Sequence, residues 1–118
     1  MNPQVYIAGH RIEQFPAFIG ASRGKSKNPP SLFQIVCGKN GSSLYLTQKT
    51  DDNDMVPRFH CVISIDEEKK PFLLVLSHSF GVETKIDSKK INRGELCDLS
   101  PGHSVLEIQN ISFEIQVN

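Results

Sequence analysis

The sequence has no tryptophan, only two tyrosines and no surplus of either charge, since 13 Lys+Arg balance 13 Asp+Glu over 118 residues. Without net charge there is no summed field to hold a nucleic-acid backbone or an anionic membrane, so neither partner is expected. No apolar run approaches the roughly 20 residues of a membrane-spanning helix. The opening Met1-Asn2-Pro3-Gln4 lacks the basic-then-apolar order of a secretory leader. Three cysteines, Cys37, Cys61 and Cys97, show no C-x-x-C spacing, and their odd number fits a reducing compartment better than a disulfide framework. The expectation is a soluble intracellular domain with free thiols. On that expectation the two N-x-S matches, at Asn40 and Asn110, carry no glycan.

The length fits one compact domain, residues 1–118. The neutral total hides a division along the chain. Residues 1–50 carry a net of +5, with Glu13 the only acid, and residues 51–118 carry a net of −5. Local charge is therefore more informative than the total.

Helical periodicity is also lacking. A period of two is clearest at the C-terminus, where Ile111, Phe113, Ile115 and Val117 alternate with Ser112, Glu114 and Gln116. The same period places Phe59, Cys61, Ile63 and Ile65 on one face of a strand and His60, Val62 and Ser64 on the other. Shorter β-branched runs at 5–8, 32–37, 44–46, 72–76, 82–86 and 105–108 are separated by turn chemistry such as Asn40-Gly41, Asn92-Arg93-Gly94 and Ser100-Pro101-Gly102. Many short strands with frequent turns predict an all-β sandwich without a major helix. Residues 22–31, with Arg23, Lys25 and Lys27, read as a basic loop, and residues 47–54 read as a long polar one.

Catalytic and metal signatures are scarce. His10, His60, His78 and His103 are scattered without ligand spacing, so neither a metal nor a cofactor is expected. His60 and Cys61 are adjacent and on a regular strand would face opposite ways, which excludes a nucleophile–base pair between them. The run Asp51-Asp52-Asn53-Asp54 lacks the glycine and distal glutamate of a calcium loop. Phosphate-cradling glycine motifs and a nucleophile elbow are absent too. A thiol enzyme or metal protein built on Cys37, Cys61 or Cys97 has no support from spacing, and a non-enzymatic role is expected.

What is present is an ordered series. Gly38-Lys39 is followed by Leu44-Tyr45-Leu46, Pro57-Arg58-Phe59-His60, Ser77-His78-Ser79-Phe80-Gly81, Leu99-Ser100-Pro101-Gly102-His103, and a last strand containing Phe113. In order and spacing this series resembles the forkhead-associated domain, whose members run Gly-Arg, Ser-Arg-x-His, Ser/Thr-x-Asn-Gly or Ser/Thr-Asn-Gly, a Leu-x-x-Gly-Asp turn and a final strand. The resemblance covers residues 32–118, with residues 1–31 supplying an earlier strand and the basic loop.

The resemblance implies a sandwich of about eleven strands whose loops at one end bind phosphothreonine peptides. It also implies the N-terminal part of a longer protein, with a scaffold role in kinase-dependent signalling and a nuclear rather than cytoplasmic setting. Carried over residue by residue, Lys39, Arg58 and Ser79 become phosphopeptide-binding candidates, with Lys85 reading flanking sequence. Gly38, His60 and Gly81 become structural positions, His60 as a hydrogen-bonder that braces its loop. The family's serine falls on Pro57, which has neither hydroxyl nor N–H, and its asparagine falls on Phe80. Charge-assisted contacts contribute about 1.5–3 kcal/mol each, so losing two polar partners weakens phosphate binding severely. Two mechanisms follow. In one, Lys39, Arg58 and Ser79 still clamp phosphothreonine in a phosphoprotein peptide. In the other, which these departures favour, that recognition has decayed, and the sandwich binds a protein partner or forms a homodimer through another surface, with Phe80 and the basic loop Arg23–Lys27 as contact candidates.

Overall fold

The computed structural model describes residues 3–21, 33–38, 42–46, 59–76, 82–109 and 111–118. The alternating and β-branched runs fold into strands, and no helix occurs among the described residues. Among the described residues twelve strands are present: β1 (Val5–Ile7), β2 (His10–Arg11), β3 (Ala17–Ala21), β4 (Phe33–Cys37), β5 (Ser42–Leu46), β6 (Cys61–Ile65), β7 (Pro71–Val75), β8 (Thr84–Ile86), β9 (Lys89–Ile91), β10 (Leu96–Asp98), β11 (Gly102–Ile108) and β12 (Ile111–Val117). They form two antiparallel sheets. The first has the order β2-β1-β12-β11-β8-β9 and the second β10-β7-β6-β3-β4-β5. Inward-facing Ile7, Leu106, Phe113 and Ile115 of the first pack in one apolar cluster with Ile19, Ile35, Ile63 and Leu73 of the second. The molecule is an all-β sandwich.

Eight of the twelve strands fall on the apolar runs read from the sequence, and β2, β3, β9 and β10 do not. β3 is the most consequential of these, since it lies between β4 and β6 near the middle of the second sheet. Pro16 before it and Gly20 within it look like turn residues, yet Ala17 and Ile19 are fully buried. β9 hides two lysines in what reads as a turn-rich segment. Its register is set by the two-residue connection Asp87-Ser88, which pairs Ile86 with Lys89. Both connecting residues have positive φ, 50° and 68°, the conformation a tight hairpin requires. Asp87 also exchanges backbone hydrogen bonding with β11: its N–H donates to Val105 O, and its Oδ1 accepts from Val105 N–H at 2.8 Å.

The regular alternation breaks at the start of β6. Ile19 is the register partner of Cys61, yet the His60 N–H donates to Ile19 O at 2.9 Å. Two residues, His60 and Cys61, thus oppose one, as in a β-bulge, and both side chains turn to the interior. The expected faces of Phe59 and His60 are exchanged in consequence: His60 is buried at 1% exposure, and Phe59 is 47% exposed. Phe59 packs edge-on against Phe18, with ring centroids 5.4 Å apart.

Registers also divide the loops of the second sheet between two ends. β3 pairs Ile19 with Cys61 and Ala17 with Ile63, while Ala17 also pairs with Cys37 and Ala21 with Phe33. Hence Ala21, Phe33, Leu46 and Val75 stand at the end of the sheet marked by His60, and Cys37, Ser42, Ile65 and Pro71 stand at the opposite end.

Two turn positions at that opposite end share a left-handed conformation but are filled by different residue types. Gly38 has a φ of +64°, and a Cβ there would stand 2.8 Å from the Gln14 Cβ. Lys69 adopts a φ of +66° in a turn where Asp66 Oδ1 accepts from the N–H groups of Glu68 and Lys70. A left-handed conformation costs a residue with a Cβ about 1–2 kcal/mol relative to glycine. Lys69→Gly is therefore expected to raise unfolding free energy by about 0.5–1 kcal/mol, and Gly38→Ala to lower it by about 1–3 kcal/mol. Urea unfolding with an unchanged m-value checks both signs.

Candidate functional site

The interior is apolar except at one place. Among the described residues only His60 and Thr84 are buried polar side chains, and they meet, with His60 Nε2 and Thr84 Oγ1 2.6 Å apart. His60 leads into β6 of the second sheet, and Thr84 opens β8 of the first. Their hydrogen bond therefore crosses the sandwich. Burial pushes the His60 imidazole down to a pKa of about 4, so it is neutral at pH 7.

The same residue ties down the roots of two loops. His60 O accepts from the Leu76 N–H at 2.9 Å, and His60 N–H is held by Ile19 O of β3. Leu76 precedes the segment containing Ser79, Phe80 and Gly81, and Thr84 follows it. Arg58 lies two residues before His60. The connections carrying Arg58 and Ser79 thus start from one bonded point, as does the end of the sheet from which residues 22–32 depart.

Arg58, Ser79, Phe80, Gly81 and Lys39 lie outside the described residues, as do Pro57, the basic loop of Arg23, Lys25 and Lys27, and the acidic run 51–54. Gly38 is described. It ends β4 with its N–H donating to Pro16 O at 3.0 Å, at the end of the sheet away from His60. The structure does not bring Gly38 and His60 together, although the sequence series assigned Gly38-Lys39 and Arg58 to one end. Lys85 points away from the interior on the outer face of the first sheet. Its ammonium stands 3.7 Å from the Glu83 carboxylate, with Glu107 and Lys90 its register partners.

What the sequence missed here is Thr84. A threonine opening a strand is unremarkable by composition, and its pairing with His60 exists only because the bulge turns the ring inward. The cysteines carry no sign of activation. Cys61 is fully buried and its thiol is pushed up to a pKa of about 12 by burial. Burial also raises Cys37, with Glu13 adding to it, and raises Cys97, with Asp98 adding to it. A reactive thiolate needs the opposite shift. Compared with protein-family models, curated proteins and solved structures, the chain returns no match.

The lowered pKa of His60 makes a stability prediction. Between pH 6.5 and 4 the unfolded chain binds a proton on this histidine that the folded chain refuses. Stability is fully present above about pH 7 and falls with pH through that window. The loss reaches about 3 kcal/mol near pH 4, by linkage at about 1.4 kcal/mol per pH unit. In His60→Gln that component of the pH dependence is absent, whatever the variant's stability at pH 7. Urea midpoints measured for both proteins from pH 4 to 8 give the difference.

Proposed function

We propose that the chain is a non-enzymatic protein-interaction module of forkhead-associated type, in which phosphothreonine recognition is weakened or lost and partners are met through the sandwich surface. The observation that carries this reading is the His60–Thr84 bond. It joins His60, at the start of β6, to Thr84 of the opposite sheet, and the resemblance assigns a bracing part to this histidine.

The weakening rests on three features. Pro57 and Phe80 stand where the family has a hydroxyl and an amide. Gly38, the neighbour of the proposed cation Lys39, belongs to the opposite end of the sheet from His60. Lys85 has Glu83 as an ion-pair partner on an outer face. A dianion with several acceptor oxygens needs converging donors, and this set has lost members rather than gained them.

Titration of a phosphothreonine peptide library against the wild-type chain, Arg58→Ala and Lys39→Ala tests the reading. Dissociation constants above about 1 mM, unchanged in both variants, are expected. Micromolar binding abolished in Arg58→Ala would replace this reading with that of a working phosphothreonine receptor.

A further inference from the structure

The first sheet ends in β9 and the second in β10, and residues 92–95 alone link these two edge strands. Registers show which backbone groups of β10 stay open. The Leu99 N–H donates to Pro71 O at 3.0 Å, in line with the pairing of Leu96 with Leu74, Cys97 with Leu73 and Asp98 with Phe72. Antiparallel bonding alternates, so the backbone of Cys97 turns toward β7, while the N–H and C=O groups of Leu96 and Asp98 turn to the outer edge. No strand lies on that edge among the described residues. Asp98 O is met there by the Cys97 thiol alone, with Sγ 3.7 Å away.

A cleft of about 560 Å³ opens beside this edge, within the range of roughly 300–1,000 Å³ that ligand sites occupy. Ile86 and Ile91 of the first sheet line it, with Cys97 of the second and Pro101. Cys97 shares the inward face with its fully buried register partner Leu73, so this part of the cleft enters between the sheets and is apolar. Leu96 and Asp98 take the other face, where Leu96 is 57% exposed. The ion pairs among the described residues join Lys70 to Glu68, Lys85 to Glu83 and His103 to Glu114. Lys89 also lines the cleft, yet the Asp98 carboxylate has no cation at ion-pair distance among those residues.

We infer that the β10 edge takes up an extended segment of a partner protein as an added antiparallel strand, with the residue order basic, large apolar, apolar. The inference rests on the reading of the chain as an interaction module and gives that module a partner chemistry. An antiparallel strand meets Asp98 first, and a basic residue there supplies the missing cation directly across the pair. Its next residue lies opposite Cys97 and points inward, into the cleft against Ile86, Ile91 and Pro101. The third lies beside Leu96 and covers its exposed side chain. The N–H and C=O groups of Leu96 and Asp98 bond the backbone of the added strand, which gives affinity while the cleft and the carboxylate give selection. A second copy of β10 in that place would set Leu96 against Asp98 and satisfy neither. Because β10 is three residues long, few rungs form, and a dissociation constant on the order of 0.1 mM is expected.

Titrating the isotope-labelled chain with a blocked, threonine-flanked peptide containing arginine-phenylalanine-leucine tests this by amide chemical shift. Two further peptides carry glutamate for the arginine, or an N-methyl group on the leucine amide that would donate to Leu96 O. Saturating shifts are expected on β9, β10 and the start of β11, with the Leu96 and Asp98 amide protons moving downfield and exchanging more slowly with solvent. Both altered peptides are expected to bind at least tenfold more weakly. Asp98→Lys, at an exposed position whose carboxylate holds nothing in place, is expected to keep its shift dispersion and to prefer the glutamate peptide. Absence of shifts at about 5 mM peptide, shifts confined to other strands, or a preference that Asp98→Lys leaves unmoved overturns the proposal. Binding indifferent to N-methylation overturns it as well, since the cleft would then hold a side chain or small ligand without strand addition. These peptides carry no phosphate, and Asp98 is not among the phosphothreonine candidates. Micromolar phosphothreonine binding that is lost in Arg58→Ala would thus overturn the weakened-recognition reading and leave this result standing.

Discussion

The hydrogen bond between His60 and Thr84 is the constraint around which the loop end of this sandwich is arranged. A sandwich interior is held together without direction, by apolar area removed from water, and such packing tolerates small slips. One buried polar pair does not. Leaving either partner unpaired costs about 1–3 kcal/mol, so β6 and β8 are fixed relative to each other across the core. The backbone has been bent to make the bond. A regular β6 would send His60 outward, and the bulge against Ile19 sends it in. The same bulge releases Phe59 to the surface, where it packs edge-on against Phe18. One irregularity thus braces the interior and adds an aromatic ring to the apolar outer face.

Those two outcomes belong to different levels of the sequence. The inner face of β12 was legible from residue type alone, because Ile111, Phe113, Ile115 and Val117 recur at every second position. The outer faces were legible only after register was known. Leu96, Leu74, Val62, Phe18 and Val36 are scattered over some eighty residues, and nothing local marks them as neighbours. Register partners make them one row. β3 shows the same limit from another side. Its burial comes from the neighbours β4 and β6, and Pro16 and Gly20 give it the local signature of a loop. Tertiary pairing overrides such local preference routinely in sheets.

Motif order in the sequence behaved similarly. Reading Gly38-Lys39 and Arg58 as parts of one site assumes that they leave the sheet at the same end. A strand end is set by how many strands intervene, and among the described residues one strand, β5, lies between Gly38 and His60 in the chain. The registers with β3 show that β4 runs away from His60, so its last residue Cys37 and the adjoining Gly38 lie at the far end. The burial of His60 depends on a short local segment, whereas the place of Gly38 depends on the direction of a whole strand.

The loop end nevertheless keeps its charge. Residues 22–32 begin and finish at the register partners Ala21 and Phe33, on the His60 side of the sheet, and carry Arg23, Lys25 and Lys27. Residues 47–58 finish beside His60 and carry Lys49 and Arg58 against Asp51, Asp52 and Asp54. By sequence alone these two connections sum to a surplus of two positive charges. Such a surplus attracts anions over about a Debye length and is screened by salt, but it does not select among them. Selection of phosphothreonine needs fixed donors at hydrogen-bonding distance, and on the proposed reading Pro57 and Phe80 stand where two of them would be. Attraction without fixed donors is what would separate, on that reading, a surface that draws charged partners close from a pocket that reads one modified residue.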